Sequence, residues 1–464
     1  MELLNKFRGA RMTVQTLIVA SMAVMQQSPS ADIHVPMFSD RERQEVVAFW
    51  SEPGRYTIGP VKDPKLGTWA VRLSPEASLW FWNYNRSRGF AKTPPSQVPP
   101  AQNAEQETWE SWINAKVAYD RWAAGKEAEK KNLEEYGITT VLGETIEPPC
   151  PSTIPKGLAA LAGSPPALAV CVQPKEHIIR FDETYSVTYQ DFPAVSVRYA
   201  YFRYPQGVMS IGTPMRAIPK DDLQKLFKDA GVSDSERRVM NAVSVLEGGF
   251  DSVNTYDTGF VSVGLIQFAC LKTGSGSLGQ MLLSYKTASP QAFDTDFRKY
   301  GIDVDPKGFL VVAHPVTGQE LIGTEAAMAI IQEPRLIAVF QRAGQLSRPY
   351  RIAQVKAARS MFYPGNDVVT FALGSKTVSA KVKDIVKTEA GMATLMDRKV
   401  NTGRLDPLAL VISRVAAEYR VKTVVDLAKY EFDITTSMKY RRDYLAESSL
   451  SQPDRHGKRR GRKK

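Results

Sequence analysis

The chain has 464 residues, 43% hydrophobic and 23% charged, which is a globular composition with room for two or three domains. Its formal net charge is +11, but residues 451–464 hold seven Lys or Arg against one Asp, so the remainder is only mildly basic. Three cysteines exclude a disulfide framework, no spacing suggests a metal site, and nothing approaches the ~20 apolar residues of a membrane-spanning helix.

Residues 1–31 run from Lys6, Arg8 and Arg11 through an apolar stretch at 13–20 to the small residues Ser21 and Ala23. Charged, then apolar, then small is the layout of a secretory signal, and it implies a secreted, periplasmic or envelope protein. Gln15 and two threonines dilute the apolar run, so a disordered or amphipathic N-terminus is the competing reading. Residues 32–150 form an accessory region of mixed α/β character that holds all seven tryptophans, from Trp50 to Trp122. Strands are predicted at 56–59, 69–73 and 79–82, a stiff Pro-rich linker at 93–100, and a long polar helix at 104–136. Strand alternation puts Trp80 and Trp82 on one face, making them the first candidates for stacking on sugar rings; a core role is the alternative. Residues 151–214 are a Pro-rich connection and a small β-rich region, with two strands within 185–204 and a third at 178–181. Cys150 and Cys171 either pair in an oxidising compartment or remain free thiols, and Cys270 reads as a small core residue.

Residues 215–447 are helix-dominated, with helices predicted near 220–230, 234–247, 276–288, 324–345, 348–361, 381–399, 404–419 and 421–430. A hairpin is predicted at 309–313 and 318–322. Many helices with small sheets describe an α+β domain of two lobes, whose substrates lie in the cleft between them. Residues 448–464 form a basic tail that like-charge repulsion keeps disordered, able to tether the protein to an anionic wall polymer, lipid or nucleic acid.

The stretch 233–268 carries the chemistry. Ser233 and Glu236 make a capping box, and the helix they open is expected to end at Leu246-Glu247 before Gly248-Gly249. Met240, Val243 and Glu247 share a helix face, so Glu247 is partly buried at the carbonyl end of the helix dipole. Both effects disfavour the ionised carboxyl and raise its pKa, as a general acid requires. A β-hairpin with its turn at Asp257-Thr258-Gly259 then delivers a second carboxyl. Two carboxyls in different environments are the minimum equipment for hydrolysing a glycosidic bond. The plainer reading is a solvated helix-end glutamate and a turn aspartate. Asp251 ranks behind Asp257 as the second carboxyl; Glu389, at a helix start, suits a stabilising role, and Asp397 beside Arg398 a structural one.

A glutamate ending a helix, followed by a hairpin with Asp, Gly and Ser, resembles the lysozyme superfamily. Glu247, Asp257 and Ser262 are similar in order to the Glu, Asp and Thr of phage-type lysozymes. Gly264-Leu265-Ile266-Gln267 looks more like the lytic transglycosylases, and Asp257-Thr258-Gly259 with Ser262-Val263-Gly264 is also similar to the chitosanases. Gln267 stands where phage lysozymes often carry His, and a chitosanase would place its aspartate further from the glutamate. The resemblance covers 233–268 in detail and the helical region after it more loosely. It implies a two-lobed, mostly helical lysozyme-like domain over 215–447 and a peptidoglycan-cleaving, muramidase-like hydrolase without cofactor or metal. Glu247 would be the general acid, with Asp257 and Ser262 handling the water; a transglycosylase needs Glu247 alone. A non-catalytic envelope protein that holds glycan without cutting it is the alternative from another class.

Charge bears on the substrate. Residues 231–330 carry a net −4 and residues 331–450 a net +8, which suits an anionic glycan such as peptidoglycan and weighs against polycationic chitosan. Arg342, Arg348, Arg351 and Lys356 are candidate contacts for substrate carboxylates, and Tyr256 and Gln267 join Arg348 and Arg351 as candidate substrate-binding residues.

Overall fold

A computed structural model describes residues 36–61, 68–90, 98–193 and 195–455. The expected signal segment, most of the linker at 93–100 and the tip of the basic tail lie outside the described residues. From Met37 onward the chain forms one contact unit of α+β character.

The first helix, Asp40–Ser51, begins at a capping box of Ser39 and Glu42 and sends Val46 and Trp50 into the large core of the helical region. Trp50 Nε1 donates to the Tyr300 carbonyl at 3.1 Å, and the Glu320 carboxylate accepts the backbone N–H groups of Met37 and Phe38. Strand Tyr56–Pro60 pairs antiparallel with Lys175–Arg180, which pairs in turn with Ser186–Gln190. Helix Pro334–Leu346 packs against this sheet. Residues 195–204, expected to be a strand, form turns that send Tyr199 and Phe202 into a second, smaller core.

That smaller core belongs to most of the Trp-rich region: Trp80, Phe81, Tyr84, Trp109 and Ile113 meet there with Leu158. The strand predicted at 79–82 is instead part of helix Pro75–Ser87. The Ser74 hydroxyl accepts the Ala77 N–H, and Pro75 occupies the first helical position, where its fixed φ fits and its missing donor costs nothing. At ~100° per residue, Trp80 and Trp82 therefore diverge instead of sharing a face. Trp80 is buried and donates to the Gly163 carbonyl at 2.9 Å, while Trp82 is half-buried against Tyr201. The long helix forms over Ala104–Tyr136 as expected, capped by Asn103 and closed by Gly137 at φ 67°. All three cysteines are free: Cys150 is exposed, Cys171 half-buried, and Cys270 buried in the large core.

In the helical region most predicted elements form, and prolines account for several differences. Pro334 divides the helix expected at 324–345 into Thr324–Gln332 and Pro334–Leu346, and Pro407 delays the helix expected at 404–419 to Leu408–Glu418. The hairpin at 309–322 forms as Leu310–Ala313 and Glu320–Ile322, with Ile302–Val304 adding a third strand. A hairpin with no counterpart in the predicted elements joins Val368–Leu373 to Lys376–Lys381. Helix Glu389–Thr402 follows it and packs on helix Asp234–Ser244. A four-stranded antiparallel sheet, Met209–Ser210, Val253–Asn254, Ser262–Val263 and Phe268–Ala269 in that order, carries the stretch of greatest chemical interest. Among the described residues, no helix is long and apolar enough to cross a membrane.

Candidate functional site

Helix Asp234–Ser244 is set by the Ser233–Glu236 capping box and by burial of Val239, Met240 and Val243. Its regular part stops at Ser244, and residues 245–247 continue as a turn, with the Glu247 N–H donating to the Ser244 carbonyl at 3.0 Å. Two glycines follow because the chain must then thread a gap. A Cβ on Gly249 would lie 2.0 Å from the Thr213 carbonyl oxygen, and one on Gly248 would lie 2.5 Å from Ser252 Cβ.

The Glu247 side chain is 9% exposed and meets the Arg441 guanidinium, whose Nη2 donates to Glu247 Oε1. The same Nη2 donates to Asp397 Oδ1 at 2.9 Å, and Arg441 Nε reaches that oxygen at 3.2 Å. Asn401 Nδ2 braces Asp397 at its carbonyl oxygen, 2.7 Å away. Burial raises the Glu247 pKa; Arg441 opposes that rise without cancelling it.

The expected hairpin forms, with strands Val253–Asn254 and Ser262–Val263 joined through the turn at Asp257-Thr258-Gly259. Asp257 Oδ1 accepts the Gly259 N–H at 2.8 Å and Oδ2 accepts Asn254 Nδ2 at 3.2 Å, so the aspartate ties its own turn. Burial also raises the Asp257 pKa, against the pull of the Gly259 N–H, Asn254 and Arg203. A Cβ on Gly259 would lie 2.7 Å from Ser262 Oγ and 3.0 Å from Asp257 Oδ1. The fold thus brings Asp257 and Ser262 together over one glycine. Among the described residues, no hydrogen bond or ion pair joins either of them to Glu247; each carboxyl has its own set of partners.

The four expected substrate contacts all have protein partners. Tyr256 is buried in the smaller core, its hydroxyl 3.5 Å from that of Tyr199, and burial pushes its phenol up to about 12. Gln267, at φ 53°, closes the turn after Ser262-Val263 by donating to Ser252 Oγ at 2.7 Å. Arg348 pairs with Asp229 at 2.6 Å on the surface. Arg351 donates to the Gly344 carbonyl at 2.6 Å and to that of Gln345, covering the open end of helix Pro334–Leu346. Arg342 lies 3.6 Å from Asp296 and over the Tyr300 ring, whereas Lys356 is exposed and makes no ion pair among the described residues.

Asp251 is structural: it accepts the Thr213 N–H at 2.7 Å and Gln345 Nε2 at 2.9 Å. Glu389 stabilises as expected, accepting Arg238 Nη2 at 2.6 Å and the Ser451 N–H at 3.1 Å. Two partners carry no local signal: Arg441, 194 positions from Glu247, and the fully buried Gln354. The last accepts the Leu265 N–H at 3.1 Å and donates to the Phe250 carbonyl at 2.9 Å. Among the described residues, no group of three or more His, Cys, Asp or Glu is placed to hold a metal ion.

No family model matches the chain, and neither the curated proteins nor the solved structures compared with it give a match.

Proposed function

We propose that this chain is a secreted or envelope glycosidase that cuts peptidoglycan, with a two-lobed lysozyme-like domain over 215–447 and accessory modules before it. The observation that carries the reading is a nearly buried carboxyl, Glu247, with a raised pKa at the end of a helix that leads into a hairpin bearing Asp257 and Ser262. Arg441 engages Oε1 of Glu247, and burial outweighs that pull, so the carboxyl can keep its proton. Glu247 protonates the leaving glycosidic oxygen, and Asp257 with Ser262 handles the attacking water or the positive charge developing at the anomeric carbon. The basic tail holds the enzyme near an anionic wall polymer.

A second reading is favoured by one specific feature. Both Asp257 oxygens already accept bonds from Gly259 and Asn254, which suits a lytic transglycosylase that uses Glu247 alone, first as acid and then as base. The test is to incubate the chain and its Glu247→Gln variant with peptidoglycan and analyse the soluble products. New reducing ends from the wild type, lost by roughly 10³-fold in the variant, are the expected result. Anhydro-sugar ends select the transglycosylase. Retained wall binding with no products from either protein overturns both in favour of a non-catalytic glycan-binding protein.

A further inference from the structure

Of the four cations singled out in the sequence for substrate carboxylates, Lys356 alone is without a protein partner among the described residues, and it lines a cavity. The cavity, about 450 Å³, lies between helix Arg348–Phe362 and the residues just after it, at the N-terminal end of helix Asp234–Ser244, where Glu236 lines it. That volume falls in the range of small-ligand sites. Glu247 lies beyond the other end of the same helix, ~16 Å away at 1.5 Å per residue.

The charges in the wall cancel pairwise, with one exception. Arg359 Nε donates to Glu236 Oε1 at 2.8 Å, while Glu236 Oε2 takes the Ser233 N–H and hydroxyl, both at 2.9 Å. Asp367 Oδ2 takes Lys399 Nζ at 2.6 Å. What remains is the Lys356 ammonium beside the neutral polar groups of Ser360, Tyr363 and Asn366. Ser360 is four residues from Lys356 on one helix and shares its face. Burial, with the nearby charges of Glu236 and Glu389, pushes the Tyr363 phenol up to about 12, so it keeps its proton and can donate. One unmatched cation with neutral donors fits a single negative charge. A dianion would face the carboxylates of Glu236 and Asp367 with too little positive charge to offset them. An adjacent cavity of about 500 Å³, also lined by Asp367, makes the contrast. Its Lys399 and Arg404 are already paired with Asp367 and Asp406, so no cation is left over.

We propose that the Lys356 cavity is a binding site for a carboxylate monoanion, held by the Lys356 ammonium and the polar groups of Tyr363 and Asn366. This does not depend on Glu247 cutting glycan. Two sources share that chemistry, a peptide C-terminus and a free organic acid. The experiment is calorimetric titration of the full chain with N-acetyl-alanyl-alanine, its C-terminal amide, acetate and inorganic phosphate, repeated on Lys356→Met. Expected are binding of the free acid, roughly tenfold weaker binding of the amide, and a similar loss in Lys356→Met, since one charge-assisted contact is removed in each case. Thermal unfolding of Lys356→Met should match the wild type, because the side chain is exposed and unpaired. Acetate binding as tightly as the dipeptide supports the site with a free acid as its source; a clear preference for the dipeptide supports it with a peptide end. Equal affinity for acid and amide, tighter binding of phosphate, an unchanged Lys356→Met, or no binding of any probe overturns the proposal.

Discussion

Glu247 and Asp257 lie ten positions apart, and burial raises the pKa of both, yet the protein holds them by opposite means. Asp257 is held from within its own turn, by a backbone N–H two residues ahead and an amide three residues behind. Glu247 is held from far away, by a guanidinium that it shares with Asp397 and that arrives from the last part of the chain. The direction of a pKa shift follows from burial in both cases. What opposes the shift, and what would break the arrangement, differs: a local turn forms with its hairpin, whereas the Arg441 cluster exists only when the C-terminal segment is docked.

Replacing Arg441 with Met strikes that difference hardest. Asp397, 1% exposed at its side chain, and Glu247 would be left buried without their shared cation, and the cost should be about 3 kcal/mol, read as a lower urea midpoint. The same variant tests the chemistry. Arg441 draws the Glu247 pKa down, so its loss raises that pKa further and the protonated acid persists to higher pH. The alkaline limb of the pH–rate profile should move upward, and Arg441→Lys should bring it partly back. An unmoved limb would mean that Glu247 is not the acid.

Asp257→Asn acts on the local side of the comparison. Stability should fall by only about 1 kcal/mol, because Asn keeps an oxygen for the Gly259 N–H. Turnover should fall roughly 10²-fold if Asp257 handles water and stay unchanged if Glu247 works alone. The sign of the linked pH effect is fixed. A carboxyl whose folded pKa is raised binds its proton more tightly folded than unfolded, so its contribution is full below the ordinary carboxyl range and fades as pH climbs through the folded pKa. Urea titrations across pH should show this slope in the wild type and a flatter one in Asp257→Asn.

Gly259→Ala gives the smallest expected effect. The new methyl would press on Ser262 Oγ and Asp257 Oδ1, costing about 1 kcal/mol, while the Glu247 cluster stays as it is. Combined with Arg441→Met, the two losses should add to within about 0.5 kcal/mol. Marked coupling would show that the two carboxyl neighbourhoods are not separate.

The amino-acid sequence by itself determined the features whose partners sit within a few residues of each other. The Ser233–Glu236 capping box, the hairpin turning at Asp257-Thr258-Gly259, and the long helix from Asn103 to Gly137 are of this kind, because a side chain two or three positions away can satisfy the open backbone group. The Val368–Lys381 hairpin also has local signals, alternating strands about Gly374 at φ 63°; only its place beside helix Leu408–Glu418 needed the rest of the fold. Trp80 and Trp82 mark the boundary: two bulky aromatics suit a strand, but the Ser74-Pro75 start and the packing of Trp80 against Tyr84 made the segment a helix. Tertiary structure alone decided that Arg351 closes a helix end, that Tyr256 belongs to the Trp-rich core, and that Arg441 reaches Glu247. The Tyr256 and Arg441 contacts join positions far apart in the chain, and even Arg351, six and seven positions from its carbonyls, needed two helices to be set against each other; charge or aromatic character tells what a residue can pair with but not which partner folding will bring to it.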